Sequence, residues 1–159
     1  MASAPLDHAP RIQEALERAF RFIAKRERTI TQVSARLERD GIEQPVIASV
    51  IKQMVADGYL SDHRFAALYA EDRRAIDGWG NERITTNLRE AGIAAEIIDV
   101  VLGSRGHGDQ VKDAIRVLDQ RIGLKPSDDR ERERALGMLV RRGYNLEIAH
   151  DAVRAFERR

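Results

Sequence analysis

The chain has 159 residues, of which 43% are hydrophobic and 33% charged, the balance of a globular protein of one domain or a few small modules. No apolar run approaches the roughly 18 residues needed to cross a bilayer, and the opening MASAPLDHAPRIQ has no basic stretch followed by an apolar core. The expectation is therefore a cytoplasmic protein with no membrane partner. Cysteine is absent, which removes disulfides, thiolate nucleophiles and cysteine metal sites together. With 27 basic and 26 acidic side chains the net charge is only +1, which argues against a dedicated DNA binder unless the basic groups are sorted onto one face.

Residues 1–9, with Pro5 and Pro10 bracketing small and polar side chains, read as a flexible arm. Ile12, Ala15, Leu16, Ala19, Phe20 and Ile23 then recur at helical spacing, and Pro10 suits a first helical turn. Thr29 and Gln32 have the spacing of a capping box for a second helix carrying Val33 and Leu37. Gly41 stops that helix, and a third follows from Pro45 to Gly58.

The same grammar recurs after Ser61, a natural N-cap whose neighbour Asp62 places negative charge at the positive end of the next helix. Phe65, Leu68, Tyr69 and Ile76 are the expected apolar positions of that helix. A break at Gly78-Trp79-Gly80 precedes helices from Asn81, read as a cap, and from Ala95. After Gly103 to Gly108, read as a linker, Val111, Ala114, Ile115, Leu118 and Ile122 mark another helix. Asp128 with Glu131 forms a second capping-box pattern, and the chain ends in helices reaching Arg142 and starting from Asn145.

Gly41, Gly92 and Gly143 fall 51 residues apart, and Leu37, Leu88 and Leu139 stand four places before them. Val46, Ile97 and Ile148 share the register, as do Val50, Val101 and Ala152. Such a period predicts an all-α tandem array of three three-helix repeats, elongated and curved: 10–58, 59–103 and 109–159, with 104–108 as a glycine-rich linker. No strand pattern is present.

Chemistry is sparse. His8, His63, His107 and His150 show no metal-ligand spacing, and no GxSxG elbow or phosphate-binding GKS/T occurs, so an enzyme, a cofactor or a small-molecule substrate is not expected. Basic stripes are more informative. Arg18, Arg21, Lys25 and Arg28 fall on one side of the first helix, and Arg130, Arg134 and Arg141 on a later one, with Glu14, Glu17, Glu131 and Glu133 able to neutralise them locally. Trp79, the single tryptophan, either covers the adjacent helices or offers an aromatic anchor to a partner.

The segment Gly58-Tyr59-Leu60-Ser61-Asp62-His63-Arg64-Phe65-Ala66, followed by Tyr69, Arg73, Gly78-Trp79-Gly80, Arg83-Ile84, Leu88 and Gly92-Ile93, resembles the RecX family. Weaker matches extend through Arg26-Glu27-Arg28-Thr29 and Arg141-Arg142-Gly143-Tyr144. The family usually has two acidic residues where Ser61-Asp62 stands, a basic loop where Ala75-Ile76-Asp77 stands, and proline where Asn81 stands. The resemblance implies a non-enzymatic, all-helical modulator of the RecA recombinase that docks on the RecA filament on single-stranded DNA and suppresses strand exchange, ATPase and co-protease activity. DNA itself would be met weakly or through the filament. Arg64 and Arg73 match the family motif. Arg74, Trp79, Arg83, Arg89, Arg130, Arg134 and Arg141 join them as candidate contacts by charge, aromaticity and expected exposure. A stand-alone helical DNA-binding protein and a helical scaffold for another partner are the alternatives.

Overall fold

The computed structural model describes residues 9–159, so residues 1–8 of the expected arm lie outside the described residues. Nine α-helices and no strand occur among them: α1 (Ala9–Ile23), α2 (Ile30–Arg39), α3 (Gln44–Ala56), α4 (Asp62–Asp72), α5 (Asn81–Glu90), α6 (Ala95–Gly103), α7 (His107–Arg121), α8 (Asp129–Arg141) and α9 (Leu146–Glu157). They form three consecutive triplets. Backbone packing groups the chain into two compact units, one reaching Phe65 and including residues 91–93, the other comprising 66–90 and 94–159.

In the first unit α1, α2 and α3 enclose Ala15, Leu16, Ala19, Val33, Leu37, Val46, Ile47, Val50 and Met54, all buried. Thr29 caps α2 as its spacing predicts: its Oγ1 accepts from Gln32 N at 3.1 Å, and Gln32 Oε1 accepts from Thr29 N at 3.1 Å. Asp62 does something the sequence did not announce. Its Oδ1 accepts the Ile30 amide at 2.9 Å, satisfying a second orphan donor at the start of α2. Helix α1 stops at Ile23, so Lys25 and Arg28 are not part of a continuous helical stripe with Arg18 and Arg21.

In the second unit, α7, α8 and α9 bury Ala114, Val117, Leu118, Ala135, Leu139, Tyr144, Ile148, Ala149, Ala152, Val153 and Phe156. The middle helices bury Ala66, Ala70, Ile84, Leu88, Ile98 and Leu102. Here the expected helix from Phe65 to Ile76 is corrected: α4 ends at Asp72, Leu68 on it and Ile76 beyond it are exposed, and the small residues Ala66 and Ala70 face inward. Large side chains at i and i+3 mimicked a core stripe, but close packing on this helix uses alanine.

The caps read from the sequence form at Thr29, Ser61 and Asp128, and Asn145 adds one, while α3, α6 and α7 start without a side-chain cap. Ser61 Oγ accepts from Arg64 N at 3.1 Å, and Asn145 Oδ1 accepts from Ile148 N at 2.9 Å. Asp128 caps α8 through Glu131 N at 2.8 Å, while the Glu131 carboxylate reaches Ser127 N and Oγ, one residue beyond a standard capping box. Asn81 is the exception. It is the first residue of α5, and its Oδ1 accepts from Arg74 instead of capping the helix. The start of α5 is satisfied by backbone: Gly80 N donates to Arg142 O at 2.8 Å and Glu82 N donates to Gly143 O at 2.9 Å.

Of the glycine-rich stretch, Gly103 ends α6 while His107 and Gly108 open α7. Arg105, between them, clasps Asp113 through Nε at 2.8 Å and Nη2 at 2.6 Å, and Arg116 adds a third bond to the same buried carboxylate at 2.7 Å. The connection is held by a charged clasp.

The periodic glycines adopt left-handed backbone, with φ of 80° at Gly41, 86° at Gly92 and 96° at Gly143. Their surroundings differ. A Cβ at Gly41 would meet open space, whereas one at Gly143 would fall 2.5 Å from Arg83 N. Gly41→Ala is expected to cost about 1 kcal/mol, the left-handed penalty alone. Gly143→Ala should cost more than about 2 kcal/mol, because Arg83 presents backbone that cannot move without breaking the α5 start. Urea denaturation of the two variants measures the difference; equal losses would show that the close approach carries no energy.

Candidate partner-binding groove

Helix α4 ends in a wider π turn, Arg73–Asp77, closed by left-handed Gly78 at φ 66°. The turn brings Arg73 Nη1 to 2.6 Å from Asp77 Oδ2. Trp79 N donates back to Arg73 O at 3.1 Å, and Gly80 is bonded to Arg142, so the tryptophan backbone is fixed on both sides. A π turn places one more residue in the loop than an α turn and so changes the direction in which the next side chains point. The side chain re-aimed in this way is the indole.

Trp79 is half-buried. The Arg83 guanidinium lies 4.1 Å from the centre of its ring, and that of Arg73 lies 5.7 Å away. Such cation–π contacts stabilise by about 0.5–1 kcal/mol each at exposed sites, and they hold the ring in place beside two cations. The ends of α7 and α8 supply the other wall, through Arg121, Met138, Arg141 and Arg142. Together with Asp77, Trp79 and Arg83 they line an open groove of about 440 Å³.

The groove is strongly cationic. Arg83, Arg121, Arg141 and Arg142 face one carboxylate, Asp77, which is already paired with Arg73. Arg142 Nη1 donates to the backbone oxygen of Asp77. Burial first, and the nearby charges of Arg121 and Arg83 after it, hold the Arg142 guanidinium below the ordinary arginine range. The lining contains no histidine, serine or threonine. It offers guanidinium forks that suit carboxylate or phosphate oxygens, beside an aromatic ring and a flexible methionine.

The sequence candidates separate accordingly. Trp79, Arg83 and Arg141 line the groove, with Arg73 bracing it from behind. Arg64 lies elsewhere, donating to Gly58 O at 2.9 Å and Tyr59 O at 3.2 Å and pairing with Glu27 at 3.2 Å, so it tethers the chain leaving α3. Arg74 is partly buried, bonded to Asn81, and its guanidinium is held below the usual range by burial and by Arg105. Arg89, Arg130 and Arg134 are exposed and do not line the groove. Arg121 and Arg142 line the groove without being among the sequence candidates. Arg142 stood in plain view before a helix-stop glycine, whereas nothing local marks Arg121.

One group of metal-ligating type occurs among the described residues, His107, Glu147 and Asp151, with ligand atoms within 4.8 Å of one another. His107 Nε2 lies 2.8 Å from Asp151 Oδ2, and Arg154 donates to the other carboxylate oxygen at 2.6 Å. These bonds hold the Asp151 carboxylate between an imidazole and a guanidinium.

The family model for the first three-helix domain of RecX matches residues 15–54, and that for the second matches residues 61–102. A regulatory protein RecX of Halorhodospira halophila is 32% identical over 138 residues, covering 86% of this chain and 84% of that one. One of Mycobacterium sp. strain JLS is 30% identical over 149 residues, covering 90% and 81%. The chain belongs to the RecX family. Its fold is shared with RecX of Lactobacillus salivarius, whose crystal structure matches with a TM-score of 0.85 at 19% identity over 95% of this chain and 99% of that one.

Tyr144, directly after Gly143, is 2% exposed, and its hydroxyl is buried without a partner among the described residues. Burial, and the Asp113 carboxylate after it, push its ionisation up to about 12. Because the folded chain then keeps a proton that the unfolded chain releases near pH 10, this group's contribution to stability is present below pH 10 and lost as pH rises toward 12. Tyr144→Phe is expected to be neutral or stabilising by up to about 1 kcal/mol at pH 7, since it deletes an unsatisfied polar group. It should also lose less stability between pH 10 and 11. Urea midpoints at both pH values check this; a clear loss at pH 7 would mean that the hydroxyl is bonded.

Proposed function

We propose that the chain is a regulator of the RecA recombinase that acts by binding and not by catalysis. It docks on the RecA filament assembled on single-stranded DNA and suppresses strand exchange, ATP hydrolysis and co-protease activity. Its membership of a family whose members are named for regulation supports the role. The observation that carries the residue-level reading is the Trp79 groove, where four arginines and one indole converge. Carboxylates on the partner are the natural counterpart of such a surface, and a half-buried aromatic beside arginine is the composition found at energetic centres of protein interfaces. Helical triplets linked in one chain can also reach more than one filament subunit, so contacts that are weak singly add through effective concentration.

Titrating the chain into a RecA, single-stranded DNA and ATP hydrolysis assay tests both levels. The wild-type chain is expected to inhibit hydrolysis. Arg83→Glu with Arg141→Glu should raise the half-inhibitory concentration at least tenfold, about 1.4 kcal/mol, while Lys52→Glu, an exposed change on α3, should leave it within twofold. Inhibition that survives the double reversal would move the contact away from the groove. A chain that leaves hydrolysis untouched at saturating concentration would overturn the regulatory reading itself.

A further inference from the structure

A second cationic cavity lies wholly within the first unit. Arg18, Arg21, Phe22, Lys25, Arg28, Arg36 and Asp40 line a pocket of about 210 Å³ at the end of α1. Five cations thus surround one carboxylate in a chain whose net charge is +1. That carboxylate is shared: Arg36 lies 3.3 Å from Asp40 and Arg18 3.7 Å, while Arg18 also bonds Glu14, outside the lining, at 3.1 Å. Arg21 and Lys25 are exposed and have no ion-pair partner among the described residues. Arg28 folds back over Phe22 with its guanidinium 4.1 Å from the ring centre, and its Nε is buried with no acceptor. Burial, then Arg26 and Arg36, hold this guanidinium below the ordinary range, as expected of a cation gathered among cations without a counter-ion.

We propose that this pocket is a binding site for the phosphate backbone of single-stranded nucleic acid, used by the chain on its own. The occupant is identified by the groups the pocket offers. It presents guanidinium forks and an ammonium, which suit phosphodiester oxygens. It presents almost nothing else. The one ring is covered by Arg28 and approached by Arg36 at 5.3 Å, so it has little face left for an apolar side chain or a stacked base. An acidic peptide would bring side chains that find no complement, whereas a sugar–phosphate backbone brings repeated charge alone. The pocket is concave and lies at the foot of a helix, which suits a flexible single strand that can turn its phosphates inward, not a duplex groove that needs a protruding helix.

The inference does not depend on the RecA reading, and it is tested without RecA. Binding of the full-length chain to a fluorescent oligo-dT is followed by anisotropy across a salt series. The wild-type chain should bind with an affinity that falls steeply with salt. Each phosphate neutralised on a single strand adds about 0.7 to the log–log salt slope, so Arg21→Glu with Lys25→Glu should flatten that slope by about 1.4 and weaken binding at least tenfold. If the charge reversal lowers the melting midpoint, Arg21→Gln with Lys25→Gln is read in its place and should flatten the slope by the same amount. An unchanged affinity and slope overturns the proposal. So does tighter binding to a duplex of equal length, or displacement of the oligonucleotide by polyglutamate at equal charge concentration.

Discussion

The groove depends on one close approach, that of Gly143 to the first turn of α5. A helix start leaves amide donors without partners, and a helix end leaves carbonyls without partners. Here the two deficits cancel directly, through Gly80 N to Arg142 O and Glu82 N to Gly143 O. The approach is possible only because both stretches of backbone lack side chains at the crossing: a Cβ on Gly80 would lie 2.5 Å from the Gly143 carbonyl. The dipole of α5 points its positive end at these carbonyls, which adds to the attraction. The aromatic ring flanked by Gly78 and Gly80 is carried along with them.

The same device occurs 51 residues earlier, in different chemistry. Thr29 Oγ1 donates to Ala91 O at 2.8 Å and Thr31 Oγ1 approaches Gly92 O at 3.4 Å, all within the first unit. Thr29 corresponds in register to Gly80, and Ala91 to Arg142. The repeat thus preserves a pairing, the start of a triplet's second helix with the glycine stop of the next triplet, while changing the donor from hydroxyl to backbone amide. A period read only as repeated core turns out to encode repeated docking as well. Threonine fills the corner at one copy, and at the other the absence of side chains opens it.

This difference explains which parts of the molecule can be read from sequence. The glycine stops, the Thr29 box, the Ser61 cap and most core positions obey rules that act within one or two helical turns, and they stand where those rules place them. Leu68 and Ile76 mislead because helical spacing says which residues share a face and not which face is covered; Ala66 and Ala70 win the inner side by being small. Arg64, legible as a family motif residue, is occupied by the carbonyls of Gly58 and Tyr59. Arg121 enters the groove only because α7 ends opposite Trp79, a fact of tertiary structure that no local pattern carries.

Arginine does two jobs in this fold, and the structure separates them by the company each side chain keeps. Arg105, Arg116 and Arg132 sit on carboxylates at 2.8 Å or less and have little left to offer a partner. Around Trp79 and around Phe22 the guanidinium groups outnumber the carboxylates, and Arg83 in one cluster and Arg28 in the other rest on the aromatic ring. Cation–π contact accounts for how these clusters persist despite mutual repulsion, since a ring face attracts a cation without cancelling its charge. A guanidinium held on an aromatic therefore stays available to an anion in a way that one held on aspartate does not. On that argument each aromatic-backed cluster, taken within its own unit, keeps guanidinium groups free for an anion, and the arginine–carboxylate pairs belong to the framework around it.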